Sequence, residues 1–493
     1  MTGPTMGRRT FLELAAGTGL WLAVGPGRAV AAAPGAPAAA GLQPSVWLNV
    51  DPSGAVSVVL AFSEMGQGAW TGQAQLVAEE LDADWGSIRV VPADADPRYG
   101  RMVTGGSSSV RRSWEPLRTA GAAAREMLVA AAARRWGVDA SACRTAKGVV
   151  SGPGGKRAGY GELAVEAATL PVPGKPRLKD PRDWTLIGKA IPRLDTPPKV
   201  RGAAVFGIDV RVPGMLHAAV ARPPMLGGKV ARFDAAKAMA VPGVRKVLEV
   251  PSGVAVVATG TWAALKGRDA LGATFDPGPN GALDSAAIAR LVADAPREPK
   301  PARDQGDVEA ALAGAARRLS ATYTVPFLAH MAMEPLNCTA RVDAKGAEVW
   351  APTQAPLRAR SDVAKALGLA EDAVKVHVTL LGGGFGRRLY PDDVVEAALV
   401  ARGAGAPVQV TWSREDDVAG DLYRPCGRYD LRGGLDASGN LVAWHNVVRA
   451  PSLSRQSSGN RSAAPGTLEG AEQMPYRAGA VRIEAAVPTV GVR

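Results

Sequence analysis

The sequence predicts an α+β, multidomain protein, and three observations carry that expectation. Its 493 residues exceed what one hydrophobic core usually serves, so about two to four domains of roughly 100–200 residues each are expected. Strand-like alternation and helix-forming stretches interleave from the start of the chain instead of separating into halves. Two Pro- and Gly-rich stretches without sustained periodicity, Gly152 to Asp195 and Pro277 to Arg303, divide what lies on either side of them.

The elements follow in order. Residues Val46 to Leu60 alternate around Asp51-Pro52-Ser53-Gly54, the pattern of a β-hairpin with a glycine turn. A helix is expected over Gly72 to Leu81, and a longer one over Leu117 to Trp136, rich in Ala, Leu, Met and Arg and closed by Gly137. After the first connector, strands are expected within Val205 to Val220, a short helix over Ala235 to Ala240, strands within Val244 to Val257 and a helix over Thr261 to Leu271. After the second come a helix over Val308 to Leu319, strands near Val342 to Val349 and a helix over Arg358 to Leu367. Strand-like pieces at Leu441 to Val448 and Ala480 to Val487 close the chain.

Composition excludes several classes of function. Hydrophobic residues make up 47% and charged residues 21%, which is globular and leaves little room for long disorder. The net charge of +12 rests on 58 Lys and Arg scattered without a run of like charge. With 5% aromatic residues there is no aromatic-interleaved basic stripe, so no nucleic-acid partner is expected. Cys143, Cys338 and Cys426 lie far apart without CxxC spacing, which leaves no ligand set for zinc or an iron–sulfur cluster in this chain. His217, His330, His377 and His445 include no pair at i,i+4, and His330 and His377 are read as core or surface histidines.

The N-terminus reads as an address. Gly7-Arg8-Arg9-Thr10-Phe11-Leu12 precedes an apolar stretch from Leu14 to Val24, then Pro26 and the small residues Ala29-Val30-Ala31. That apolar stretch is too short to span a bilayer, and Gly17, Thr18 and Gly19 keep it mild, as in a twin-arginine signal. Residues 1–33 are therefore expected to be a twin-arginine signal peptide and the mature protein to be periplasmic. The pathway carries folded proteins, which suits a cofactor inserted before export.

Three glycine-bearing loops are candidates for chemistry. Leu381-Gly382-Gly383-Gly384-Phe385-Gly386-Arg387-Arg388 follows the alternating strand Val374 to Leu380, and its glycines let backbone pass close to a bound group. Bare amides beside two arginines suit a phosphate or another oxyanion, whereas the GxGxxG of a dinucleotide fold is absent. Ser63-Glu64-Met65-Gly66-Gln67-Gly68 and Thr104-Gly105-Gly106-Ser107-Ser108-Ser109 each precede a helix, where amides and hydroxyls face anions. Either alone is equally well an ordinary capped turn.

Together with Met333-Glu334-Pro335, Pro352-Thr353-Gln354 and Ser413-Arg414-Glu415-Asp416-Asp417, these segments resemble the large subunit of the xanthine dehydrogenase and aldehyde oxidase family. The Glu-Met-Gly-Gln-Gly loop near the N-terminus resembles the rearranged branch that includes isoquinoline 1-oxidoreductase. The resemblance implies an α/β hammerhead domain at 198–280, flanked by molybdopterin-binding α/β domains: an N-terminal cofactor-contacting segment at 42–190 and a molybdopterin-binding domain at 300–493. It implies that Gln67, Gly68, Ser107, Ser108, Gly383, Gly384, Phe385, Gly386 and Arg387 contact a molybdenum cofactor, molybdopterin as its cytosine dinucleotide. The implied reaction is hydroxylation of an N-heteroaromatic ring or an aldehyde with water as oxygen source and a glutamate as general base. Electrons are implied to leave to [2Fe-2S] clusters on a small iron–sulfur subunit, and onward to an acceptor such as cytochrome c.

At two places the sequence departs from the family pattern. The Gly-x-Gly-Glu that would carry the catalytic glutamate is matched only by Gly159-Tyr160-Gly161-Glu162, in the first connector, where Glu162 is read as a helix start. Val487-Pro488-Thr489-Val490-Gly491-Val492-Arg493 resembles the approach to the substrate-site arginine, which makes Arg493 that residue. The expectation is a C-terminally truncated subunit, without the catalytic glutamate and with poor cofactor binding. Competing readings are a periplasmic aldehyde dehydrogenase large subunit, and an exported binding protein without metal. Glu334 is read as a polar strand end and Asp416 and Asp417 as a solvated loop.

Overall fold

The computed structural model describes residues 47–452 and 467–492, together with the short strand Leu20–Leu22. The chain divides into two compact units, each discontinuous in sequence. The first takes the described part of residues 1–216 with Ala332–Val410, and the second takes His217–Met331 with the described part of residues 411–493. The described part of segment 42–190 lies within the first unit, whereas 198–280 and 300–493 are each divided between the two. The leader lies outside the described residues except for Leu20–Leu22, which pairs antiparallel with Leu48–Val50. No described helix is long and apolar enough to cross a membrane.

In the first unit, the predicted hairpin forms as strands Leu48–Val50 and Val56–Leu60, and Ile88–Pro92 adds in parallel. Helices Ala69–Leu81 and Ser109–Trp136 pack on this sheet through Leu76, Val77, Leu81, Leu117, Ala124 and Leu128. They approach so closely that a Cβ on Gly121 would lie 2.7 Å from the Val77 carbonyl oxygen. The long helix starts at Ser109, ahead of the expected Leu117, and runs through Pro116. Proline there removes one intrahelical bond, but burial of the following turns outweighs this local preference.

The first connector also carries more structure than its composition suggests. Strands Arg144–Ala146, Val149–Ser151 and Arg157–Gly159 form an antiparallel meander, too short to give a readable period. Helix Tyr160–Ala167 follows, with the Glu162 carboxylate accepting the Gly159 amide at 2.8 Å, so Glu162 is the helix-start residue expected. The unit's other sheet runs in the order Val408–Thr411, Asn337–Asp343, Gly346–Ala351, Val374–Val378. Helices Pro356–Leu367 and Asp392–Ala404 belong with it.

The second unit contains the antiparallel strands Val244–Val250, Gly253–Ala258 and Leu216–Ala221, with helices Ala235–Met239 and Thr261–Ala270. Val254, Val256 and Ala264 fill their core. A five-stranded sheet orders Arg303–Gln305, Ala480–Ala486, Leu441–Arg449, Gly427–Leu435 and Arg317–Val325. Three expectations change here. The helix from Val308 ends at Ala313, because Gly314 closes it and Arg317 already starts a strand. The second connector holds helix Ser285–Ala293, capped by Asp284, whose carboxylate accepts the Ala287 amide at 2.7 Å. Asp416 and Asp417 lie on helix Arg414–Ala419, where the Ser413 hydroxyl accepts the Asp416 amide at 3.2 Å and Asp417 is buried.

Candidate functional site

The first unit brings together five of the segments singled out in the sequence. Ser63 donates its amide to the Thr104 hydroxyl at 2.8 Å and its own hydroxyl to the Thr353 carbonyl at 2.7 Å. Gln354 donates Nε2 to the Thr104 carbonyl at 2.8 Å, and its Oε1 accepts the Gly386 amide at 3.1 Å. The Leu381 amide reaches the Glu64 carbonyl at 3.1 Å. Residues nearly 300 positions apart in the chain therefore form one set of loops, each fixed by another's backbone.

Two buried carboxylates organise these loops. Glu64 is 0% exposed. Its Oε1 accepts the amides of Gly66 and Gly68 at 3.0 and 2.9 Å, and its Oε2 accepts Trp70 at 3.2 Å. A side-chain anion thus occupies the amide cluster at the start of helix Ala69–Leu81, where an external anion was expected to sit. Glu334 takes the Gly382 amide at 2.8 Å, the Ile208 amide and the Asn337 side-chain amide at 3.0 Å, and Arg388 Nη2 at 3.2 Å. It is a buried junction, not a strand-end polar residue.

The two arginines of the glycine-rich loop correct the sequence reading. Both are 2% exposed and turned into the protein. Arg387 grips Asp392 with Nη1 at 2.7 Å and Nη2 at 2.9 Å. Arg388 donates to the carbonyls of Glu334, Pro352 and Gly383 at 2.7, 3.2 and 3.1 Å. A fork held by a carboxylate and carbonyls serves the loop's shape and is not presented to an external oxyanion. The neighbouring Asp393 is buried, and that burial, followed by the Asp392 charge, pushes its carboxyl up to about 7.

What this loop leaves unpaired is backbone instead. Among the described residues, the amides of Gly383, Gly384 and Phe385 make no hydrogen bond within the chain. Gly383 and Gly386 adopt φ of 101° and 115°, and Phe385 adopts φ of 54° with its ring 72% exposed. Ser107, also exposed, adopts φ of 51°, and Ser108 donates its hydroxyl to the Gly105 carbonyl at 2.7 Å. Such conformations persist only where the surroundings enforce them, and they concentrate at ligand sites. A Cβ on Gly384 would lie 2.6 Å from Gln354 Oε1 and 2.8 Å from Met65 Sδ, so only glycine lets these loops close on one another.

The remaining predicted residues fall as follows. Gln67 is exposed, with Oε1 accepting the Met65 amide at 2.7 Å and Nε2 donating to the Ser63 carbonyl at 2.9 Å. Gly68 has φ of 78°, which its place in the turn requires. Arg493 lies outside the described residues, and Ser413–Asp417 belongs to the second unit. Glu64, Glu334 and Arg388 were missed as organisers, since no local sequence signal says that a carboxylate will be buried among amides. Three consecutive bare amides, a strained aromatic and neutral side-chain donors suit metal-oxo, pterin and phosphate oxygens.

Two family models for the molybdopterin cofactor-binding domain match the chain, one over residues 7–207 and the other over 294–487. The chain is 36% identical to the beta subunit of isoquinoline 1-oxidoreductase from Brevundimonas diminuta, over 84% of this chain and 60% of the relative. It is 32% identical to a protein of Gluconacetobacter polyoxogenes named membrane-bound aldehyde dehydrogenase [pyrroloquinoline-quinone], over 90% of this chain and 60% of the relative. To a nicotinate dehydrogenase subunit from Pseudomonas putida it is 30% identical, over 84% of this chain and 36% of the relative. The chain thus spans about 60% or less of the length of these relatives.

Proposed function

Because the chain belongs to the xanthine dehydrogenase family of molybdopterin-binding large subunits, we propose that it serves an exported molybdenum hydroxylase acting on N-heteroaromatic, isoquinoline-like substrates. The observation that carries this reading is the convergence of the 63–68, 104–109, 352–354 and 382–388 loops around bare amides. Gly383, Gly384 and Phe385 would hold the molybdenum cofactor through their amides, with Gln67, Gly68, Ser107, Ser108 and Gly386 shaping the cradle. When bound, that cofactor supplies two-electron oxidation of an electron-poor carbon with water as the oxygen source. The chain's own part is to bind and orient. Neutral donors hold anionic groups without adding a charge that would compete with them, and the exposed Phe385 ring offers a flat apolar face to an aromatic substrate.

The partner in this reading is a small subunit carrying [2Fe-2S] clusters, with a cytochrome c as a further acceptor. Supporting it, two relatives are themselves named as subunits, and Cys143, Cys338 and Cys426 are each buried and free of disulfides. The cytosine dinucleotide form of the cofactor and periplasmic localisation belong to the same proposal, the latter on Arg8-Arg9 and the apolar stretch behind them. Aldehyde oxidation is the second reading, favoured by similarity to a protein named as an aldehyde dehydrogenase.

The test is to co-express the chain with the small iron–sulfur subunit and measure molybdenum and oxidised pterin in the folded protein. Molybdenum and pterin in equal amounts, lost together in Gly384→Val, would support the proposal. Folded protein without either would overturn it. Turnover of isoquinoline against that of aldehydes then separates the two substrate readings.

A further inference from the structure

Part of the first connector lies along helix Ala69–Leu81. Thr71, Gln75 and Glu79 are spaced by four and so share one face of that helix. Each holds connector backbone. Glu79, 0% exposed, accepts the amides of Thr185, Leu186 and Ile187 on Oε2 at 2.8, 2.6 and 3.0 Å and takes Lys179 Nζ on Oε1 at 2.6 Å. Burial alone would raise the Glu79 carboxyl, but Lys179 and the Leu186 and Ile187 amides hold it below the ordinary value. Gln75 Nε2 donates to the Leu186 carbonyl at 3.0 Å, and the Thr71 hydroxyl accepts the Leu194 amide at 3.1 Å.

This ladder delivers Arg193 to the loop that precedes the helix. Arg193 Nη1 donates to the Gly66 carbonyl at 2.9 Å, and Nη2 lies 3.4 Å from Glu64 Oε1. Behind it, Asp195 fixes the guanidinium with two bonds, from Nε at 2.9 Å and Nη2 at 2.6 Å, and also takes Lys199 at 2.5 Å. The guanidinium carbon would lie 3.4 Å from a Cβ on Gly68. Gly66 and Gly68 both have positive φ, which turns their amides inward to Glu64 and leaves the Gly66 carbonyl for Arg193.

We propose that residues 179–195 form a strap that sets the conformation of the Gly66-Gln67-Gly68 loop, and that Arg193 is a positioning residue for cofactor binding. The second half of this proposal rests on the function proposed above. Glu64 orders the loop from inside and Arg193 from outside. A lysine at position 193 would keep the charge, but one ammonium cannot make the fork to Asp195 and the bond to Gly66 together.

Hydrogen exchange followed by mass spectrometry, on the full chain and on Arg193→Ala and Arg193→Lys, tests the strap. In Arg193→Ala, exchange over residues 64–70 should rise about tenfold, as expected for loss of one charged hydrogen bond, with helix Ser109–Trp136 unchanged. Arg193→Lys should fall between. Molybdenum content of the proteins purified with their small subunit should follow the same order. Wild-type exchange over 64–70 in Arg193→Ala would overturn the strap; if that variant does not fold, the same result in Arg193→Lys would do so. Faster exchange with undiminished molybdenum would overturn the positioning role. A wild-type protein that holds no molybdenum sinks the proposed function and the positioning role with it, while the exchange result still decides the strap.

Discussion

Replacing Glu334 by alanine tests whether the glycine-rich loop is held by a buried ion pair. The carboxylate is 7% exposed and takes four donors: two backbone amides, the Asn337 amide and Arg388. A hydrogen bond to a charged group is worth about 1.5–3 kcal/mol when taken alone, but four on one group are not additive. Removing one partner of a buried pair costs about 3–5 kcal/mol, chiefly by leaving the other charge buried without compensation. Arg388 would keep three backbone carbonyls, so the lower end, about 3 kcal/mol, is expected. Against a total stability of about 5–15 kcal/mol this is a large fraction. The assay is urea-induced unfolding followed by circular dichroism, on the wild type, Glu334→Ala and the double variant Glu334→Met/Arg388→Met. The double variant should recover part of the loss, because the uncompensated Arg388 charge is gone, while the Gly382, Ile208 and Asn337 donors still lack the carboxylate. A cost in Glu334→Ala below about 1 kcal/mol, the scale of an exposed pair, would refute the argument.

Gly384→Ala should lower molybdenum content in a protein of nearly wild-type stability, since its Cβ meets Gln354 and Met65 at the centre of the loops and not in a hydrophobic core; elemental analysis beside thermal unfolding reads both. Gly121→Ala should cost about 1–3 kcal/mol by overpacking the crossing of two buried helices, measured by the same urea unfolding. Asp393 has a folded-state value near 7, above its ordinary 3.8, so the folded protein binds the extra proton. Its contribution is full below about pH 4 and is lost as pH rises to about 7; Asp393→Asn should flatten that part of a melting-temperature profile, and an unchanged slope would count against it. Arg8→Lys combined with Arg9→Lys should keep the protein out of the periplasmic fraction, measured by fractionation and immunoblot.

The long-range outline was legible in the sequence wherever an element had a long apolar period or a distinctive turn. The hairpin at Val46 to Leu60, the helix ending at Trp136 and the glycine loop after Val374–Val378 all stand close to where their patterns put them. The first connector was less legible, since its strands have three residues each and its later part is held by side chains about 100 positions away. Composition identifies such a stretch as irregular, but not what it lies against. The start of the long helix was hidden for the opposite reason: Pro116, a strong local signal against helix, lies inside it and is outweighed by burial of the turns that follow.

At the candidate site the loops singled out in the sequence come together, while the two arginines expected to meet an oxyanion are turned into the protein. Arg387 and Arg388 look like anion ligands by residue type, yet each has an internal partner, and so do the amides around Glu64. The distinction is electrostatic. A cradle lined with free guanidinium groups would bind any small oxyanion and would lose much of its selectivity with salt. Carboxylates that neutralise the arginines and fix the glycine amides leave a rigid surface of neutral donors, whose preference depends on the direction of each N–H more than on total charge. Direction is a property of φ at Gly383, Phe385 and Gly386, and the loop that carries them is held by Glu334 and Gln354 from elsewhere in the fold and by Arg388 at its own end. Glu334, Gln354 and Arg388 each lie in a segment that the sequence singles out, yet the pattern gives only their place, whereas the burial and pairing by which they hold the glycine loop are visible only in the fold.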